Sequence, residues 1–378
     1  MRITHGMDKL IKQRVFLQCL GYEDCNDSDE LSHDPLLKEF LEKSLASQPT
    51  LSRLENSVDK HTIKDLLEYW IDRYVSSIDP SRTHIVIDVD STDDPTYGCQ
   101  QLSMFHGYYY HHMYHILLFH DAHTGQVILP FLRAGNTHTA AGATALLKRI
   151  VEKIRKRFPG MKITLRADSG FSGPDIYRLA QRMCLKFCIG IPTNQRLKAL
   201  TLDSEKKVVK KYVSKNIKHQ RVVGPFLYRA KSWDTPQNVW AKVESTGKGL
   251  NVRYIISNIE QKGKDIYFGF YVHRAEASEN RIKELKNMCY ADRLSCHSFY
   301  ANFLRLFFSC LSYELMRLLK DVIIKTNYKK ASKWQVHNIR LFLLKIGACV
   351  KKRVRTITIC FSRAFPRQAL FRQVAALC

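Results

Sequence analysis

The sequence predicts an α/β protein built on a mixed sheet flanked by helices. Three observations predict it. A helical N-terminal stretch gives way at Asp79-Pro80-Ser81 to a series of strand-like segments, and those strands then alternate with helices. The chain of 378 residues is 45% apolar, enough for a sizeable core and for two or three domains.

Residues 1–82 form an N-terminal helical region, because Leu36, Leu37, Phe40 and Leu41, and again Ile63, Leu66, Leu67, Trp70 and Ile71, recur at the spacing of one helix face. Residues 83–192 follow as a core. The apolar run over 84–90 reads as a buried strand, with 113–119 and 126–132 as its hairpin partners around His123-Thr124-Gly125. A helix over 139–157, a strand over 162–167, a helix over 174–183 and a strand over 186–191 complete it. Three antiparallel strands leading into alternating helix and strand is the element order of an RNase H-like fold. Residues 193–270 read as a basic, β-rich insertion, with strands over 221–229, 239–244 and 252–257 and few helix signals. Helical periodicity returns from Glu276 through Leu319, so that 271–325 closes the core, and 326–378 is a basic C-terminal region containing Lys351-Lys-Arg-Val-Arg355.

Sixty Lys and Arg against 35 Asp and Glu give a net charge of +25, which attracts polyanions. Spread over a globular chain, that charge makes nucleic acid the leading partner, although an anionic membrane or a ribosome would exert the same pull. The 11 cysteines include no C-x-x-C pair and follow no secretory signal, which predicts free thiols in a reducing cytoplasm. No apolar run approaches the roughly 18 residues of a membrane span. The best, over 303–319, is broken by Arg305, Glu314 and Arg317 and reads as an amphipathic helix. The expectation is a soluble protein with no membrane partner.

Asp88, Asp90, Asp93 and Asp94 crowd one strand end, a costly concentration of negative charge unless something cationic sits there. Alternation puts Asp88 and Asp90 on one face, and Mg²⁺ needs only one or two protein carboxylates besides substrate phosphates. Asp93 and Asp94 read as cap or turn residues. Asp168 ends a strand and enters Ser169-Gly170-Phe171, a place from which a carboxylate reaches the crevice above a sheet or simply caps a turn. Glu279 and Glu284 lie in a strong helix former whose charges can face solvent. His111, His112 and His115 lead into a strand that alternates faces, which argues against a zinc cluster. Lys206-Lys-Val-Val-Lys-Lys211 suits a surface that tracks a phosphate backbone; Trp233 suits an unstacked base, or, as for most tryptophans, a core. Asp88-Val-Asp90-Ser-Thr92 also matches the opening strand of haloacid-dehalogenase-type phosphatases, with Asp88 as nucleophile and Asp90 as acid. Such an enzyme needs a later acidic pair, and Arg166-Ala-Asp168-Ser-Gly supplies one acid.

Taken in order, Gly21-Tyr-Glu-Asp-Cys-Asn-Asp, Leu45-Ala-Ser-Gln-Pro-Thr-Leu-Ser-Arg-Leu-Glu55, Asp88-Val-Asp-Ser-Thr-Asp-Asp-Pro95, Leu132-Arg-Ala-Gly-Asn136, Leu165-Arg-Ala-Asp-Ser-Gly-Phe171, Glu279-Asn-Arg-Ile-Lys-Glu-Leu-Lys286 and Asp292-Arg-Leu-Ser-Cys-His297 resemble the IS1380 family of bacterial insertion-sequence transposases. That family falls within the DDE group, with IS4-like relatives. The resemblance implies a DDE transposase that cleaves DNA at insertion-sequence ends and transfers strands into target DNA by cut-and-paste transposition. It implies Asp90, Asp168 and Glu279 as the catalytic, metal-binding acids, with Mg²⁺, for which Mn²⁺ can substitute, as two ions. Tyr271, Arg274, Glu279 and Lys286 resemble a Tyr-Arg-Glu-Lys signature, with Tyr271, Arg274 and Lys286 contacting DNA phosphates. The signature has three residues between its Arg and its Glu where this chain has four between Arg274 and Glu279; Glu276, with Lys283 seven positions on, is the other candidate acid. Similar proteins carry an additional stretch ahead of the Gly21 segment, which implies a shortened DNA-binding part here. The implied partners are double-stranded DNA with terminal inverted repeats, target DNA and a second copy in the DNA complex, in the bacterial cytoplasm at the nucleoid. The competing expectation is a DNA-binding remnant without catalysis.

Overall fold

The computed structural model describes residues 5–41, 44–215 and 218–378, without the side chains of 275–277. Along the chain run α1 (Met7–Leu20), α2 (Asp27–Leu31), α3 (Pro35–Phe40), α4 (Gln48–Glu55), α5 (Lys60–Ser77), β1 (His84–Pro95), β2 (Met104–His106), β3 (His111–Asp121), β4 (Val127–Ala134), α6 (Ala143–Arg157), β5 (Lys162–Ala167), α7 (Pro174–Arg182) and β6 (Lys186–Ile191). Then follow α8 (Gln195–Lys215), β7 (His219–Tyr228), β8 (Gln237–Thr246), β9 (Gly249–Ser257), α9 (Val272–Cys289), α10 (Phe299–Ile324), α11 (Val336–Ile339), β10 (Ala348–Lys352), β11 (Ile357–Phe361) and α12 (Gln368–Leu377). The chain divides into two compact units, one made of 67–92 and 115–280, the other of 1–66, 93–114 and 281–378.

The first unit holds the central strands. β1 pairs parallel with β5, Asp88 opposite Arg166 and Val89 opposite Ala167, and β5 pairs parallel with β6. β3 runs antiparallel to β1, since Ala122 N–H bonds Val86 O near one end of the pair and Thr96 N–H bonds His112 O near the other. β4 pairs with β3. Antiparallel strands on one side of β1 and parallel strands on the other make the mixed, RNase H-like sheet that the element order predicts. Ile85, Ile87, Val89, Ile163 and Leu165 are buried because helices cover the sheet. α6 turns Leu147, Ile150, Val151 and Ile154 inward, as the spacing of one helical face requires. Trp70 of α5 adds a polar anchor, its indole N–H donating to Val127 O at 3.0 Å.

Past β6 the sheet continues as antiparallel β9, β8 and β7. The expectation of few helices over 193–270 needs correction, because that stretch opens with the 21-residue α8. Lysines so dominate α8 that its inward positions are reduced to Leu197, Thr201 and Val208, too sparse to declare a helical face. Lys206 to Lys211 therefore lie on a helix. Trp233 is buried, edge-on to Tyr177 at 5.0 Å and Tyr228 at 5.3 Å, so it packs the core and offers nothing to an unstacked base.

In the second unit α1, α4 and α10 pack together. Arg305 and Glu314 of α10 are buried, which corrects the amphipathic reading of this helix. Arg305 reaches Asp24 at 2.9 Å and Glu55 at 3.6 Å, Glu55 also takes Arg14 Nε at 2.8 Å, and Glu314 pairs with Arg317 at 3.1 Å. A buried charge survives only when paired in this way. The helical run from 276 to 319 is interrupted between α9 and α10, where Tyr290 adopts φ +62°.

Candidate active site

Asp88 and Asp90 point to the same side of β1, and each meets a different partner. Asp88 lies opposite Arg166 on β5, whose Nε and Nη2 donate to its two oxygens at 2.6 and 2.9 Å, while Nη1 donates to Phe270 O at 2.7 Å. This buried fork-on-fork pair is structural glue. It also occupies the carboxylate that a phosphatase of the Asp-x-Asp type would need as nucleophile.

Asp90 is buried beside α9. Arg274 Nη1 donates to its Oδ1 and the Ser278 hydroxyl to its Oδ2. Arg274 and Ser278 are four residues apart, so one face of α9 presents both. Burial pushes the Asp90 carboxyl up, Arg274 and Ser278 pull it back, Asp168 pushes it up again, and the net shift is upward. Asp168 stands one residue beyond Ala167, the register partner of Val89, so that Asp90, inside β1, and Asp168, just past the end of β5, stand at the same level on neighbouring parallel strands. Its Oδ1 accepts from Gly170 N–H at 2.8 Å, so the carboxylate caps the short turn at 169–171 while adding its charge to that around Asp90.

Gly190 on β6 closes this corner. A Cβ there would stand 2.6 Å from the Tyr271 hydroxyl and 2.9 Å from Ser169 N. Only a bare Cα lets Tyr271 and the turn after Asp168 approach the strand so closely. Burial raises the Tyr271 phenol, Arg274 opposes, and Asp168 adds to the rise.

Glu279 is not brought to this cluster. It is exposed, as its position requires: one residue past Ser278 turns it about 100° around the helix from the face that meets Asp90. The extra residue between Arg274 and Glu279 thus leaves Ser278 where three intervening residues would have placed the acid. The side chain of Glu276 lies outside the described residues.

Lys286, Asp93 and Asp94 belong to the second unit. Lys286 Nζ donates to Asp93 O at 2.7 Å and lies 3.1 Å from Asp93 Oδ1, and His111 Nε2 approaches Asp93 Oδ2 at 3.2 Å. Asp93 and Asp94 are strand residues, not the cap or turn residues expected, because β1 continues to Pro95. Asp94 is fully buried with neither carboxylate oxygen hydrogen-bonded. Burial, then Asp292, push its carboxyl well above the ordinary range. His115 is buried in the first unit, its Nδ1 2.8 Å from Thr137 O.

Asp90 and Asp168 are hard oxygen donors on adjacent parallel strands, a pair that suits a divalent cation whose remaining ligands come from water and phosphate. Among the described residues no set of three His, Cys, Asp or Glu side chains is placed to hold a metal ion. Sequence reasoning missed Ser278 and Gly190, and it also missed the bond from Arg166 to Asp88. The last had a readable signal, since an Arg two residues before Asp168 on a parallel neighbour of β1 falls opposite Asp88.

The family profile described as Transposase DDE domain group 1 matches residues 1–377. Among solved structures, the piggyBac transposase synaptic complex with hairpin DNA aligns at 14% identity over 90% of this chain and 71% of that chain, with a TM-score of 0.49. The Drosophila P element transposase strand transfer complex aligns at 11% identity over 87% and 68%, with a TM-score of 0.28. The Mos1 mariner paired end complex with Mn aligns at 14% identity over 50% and 68%, with a TM-score of 0.21. No curated protein matches the chain. Among the described residues no helix is long and apolar enough to cross a membrane.

Proposed function

The chain belongs to the DDE transposases, and from that premise we propose that it is an IS1380-like enzyme that cleaves DNA at insertion-sequence ends and joins the freed strand to target DNA by a cut-and-paste route. The observation that carries the reading is the meeting of Asp90, on β1, and Asp168, just past the end of the parallel β5, with Arg274 and Tyr271 beside them.

Asp90 and Asp168 are the residues that would hold Mg²⁺ or Mn²⁺, with Glu279 as the third acid that the resemblance supplies. Two such ions, when bound, activate the attacking oxygen and stabilise the leaving oxygen of an in-line displacement at phosphorus. Phosphoryl transfer otherwise asks a protein for position and positive charge rather than a covalent nucleophile. Arg274 provides a planar fork for a phosphate once it lets go of Asp90. The Tyr271 hydroxyl, protonated at neutral pH as any phenol is, donates to a phosphate oxygen. Lys286 supplies a point charge for the backbone. The DNA partners are duplex carrying terminal inverted repeats and a target duplex, two copies act in the paired complex, and the setting is the bacterial nucleoid.

One observation favours a second reading, DNA binding without cleavage. Glu279 is exposed, while both oxygens of Asp90 are occupied by Arg274 and Ser278. The deciding experiment is cleavage of a labelled duplex bearing the flanking inverted repeats, with Mg²⁺ or Mn²⁺, by the native chain, Asp90→Ala and Glu279→Ala. Metal-dependent cutting at the repeat end that both variants lose supports the enzyme with Glu279 in its site. Cutting that survives Glu279→Ala removes Glu279 from the site, and binding without cutting by the native chain establishes the second reading.

A further inference from the structure

From Val322 to Cys378 the chain carries thirteen Lys and Arg residues and no Asp or Glu, so this last stretch supplies about half of the net charge of +25. Within it β10 and β11 form a separate two-stranded antiparallel ribbon outside the large sheet. Nearly every ribbon residue is exposed. An isolated hairpin has little stability of its own, so a reason for its exposure lies in what it meets.

Its two faces differ. Residues directly opposite in an antiparallel ribbon share a face. The pairs Ala348 with Phe361, Val350 with Ile359 and Lys352 with Ile357 make one face, mostly apolar. That face turns toward α12, where Phe361 meets Phe371 with ring centroids 4.8 Å apart and planes tilted by 60°. The pairs Cys349 with Cys360 and Lys351 with Thr358 make the other. The turn bond from Arg353 N–H to Thr356 O, at 2.8 Å, extends that second face with Arg353 and Thr356, and Arg355 stands at the tip. The open face is therefore short polar residues with Lys and Arg, groups that bond phosphates and base edges; among the described residues the carboxylate that reaches the ribbon, Glu39, pairs with Lys352 on the other face.

We propose that this ribbon is a DNA-binding arm that enters the major groove of duplex DNA with its Lys351–Thr358 face, apart from the residues that carry out strand chemistry. A two-stranded ribbon fits that groove, and the density of positive charge identifies a polyanion as its occupant. The choice of DNA rests on membership of a transposase family. The ribbon's role in binding does not depend on whether Asp90 cuts.

The test uses the full chain and compares the native protein with Lys351→Ala/Arg353→Ala/Arg355→Ala, measuring affinity for a labelled duplex over a range of salt. Three lost phosphate contacts should lower the magnitude of the slope of log K against log salt by about 2.7 and weaken binding roughly tenfold or more. Asp90→Ala, which leaves the ribbon intact, should keep the slope of the native chain. Cys349 and Cys360, both exposed on the same face, give a readout that needs no variant: duplex DNA should slow their alkylation and leave that of exposed Cys184 unaltered. An unchanged slope with unprotected cysteines overturns the proposal. An equal loss for single-stranded DNA or for RNA overturns the groove and leaves only a general attraction for polyanions.

Discussion

At the scale of single residues, four clustered aspartates separate into four different fates. Asp88 is consumed by Arg166, Asp90 is held by Arg274 and Ser278, Asp93 meets Lys286, and Asp94 is buried without a hydrogen bond. The sequence makes Asp88 and Asp90 neighbours on one face through alternation alone, but the arginine that each meets lies 78 and 184 positions away, beyond any local pattern. Arg166→Ala should cost about 3–5 kcal/mol, because it takes both guanidinium bonds from a fully buried carboxylate. Urea unfolding measures it, and replacing Asp88 with Asn in the same chain should recover most of the loss. Asp94 makes a prediction about pH. Its folded-state pKa lies above its unfolded value, so its contribution is fully present below the unfolded pKa and is lost as pH rises through the folded one. Asp94→Asn should therefore melt above the native chain at about pH 8, with the gap closing toward about pH 4. A gap of constant size would mean that Asp94 is charged in the fold.

At the scale of elements, β5 and β6 begin and end where their apolar runs predict, because buried parallel strands read as continuous hydrophobic stretches. β2 is only three residues long and half exposed, so nothing in its composition marks it. α9 shows how much a single position matters. Arg274 and Ser278 share its Asp90 face and Glu279 does not, which the count of four intervening residues signals in the sequence but only helical geometry explains. Ser278→Glu should place a carboxylate four positions after Arg274, on the Asp90 face, and raise affinity for Mn²⁺ by roughly tenfold, readable by calorimetry. Should Ser278→Gln raise it equally, charge is not the cause. Gly190 tests the β6 side of the same corner. Gly190→Ala should push back the turn after Asp168, costing about 1–3 kcal/mol of stability. Cleavage should fall by up to about a hundredfold, the expected price of misplacement near 1 Å, with duplex affinity retained.

At the scale of the whole molecule, composition points to a polyanion partner, and element order predicts the sheet that the structure contains. What neither could reveal is the path of the chain between the two compact units. It passes from one to the other after residues 66, 92, 114 and 280, within α5, β1, β3 and α9, so that each of these elements is shared. A strand or helix common to two cores cannot melt in one and persist in the other. Calorimetry should therefore record one unfolding transition whose calorimetric and van't Hoff enthalpies agree; two resolved transitions would show the units to be independent. The same path bears on heredity. No single continuous stretch of the gene encodes either unit, so no deletion with one pair of breakpoints can lift out an intact half. A premature stop after codon 280 deprives one unit of its last segment and leaves the shared α9 cut short. Damaged copies of such a gene should accumulate as silent relics, without passing through a stage in which half a protein still works.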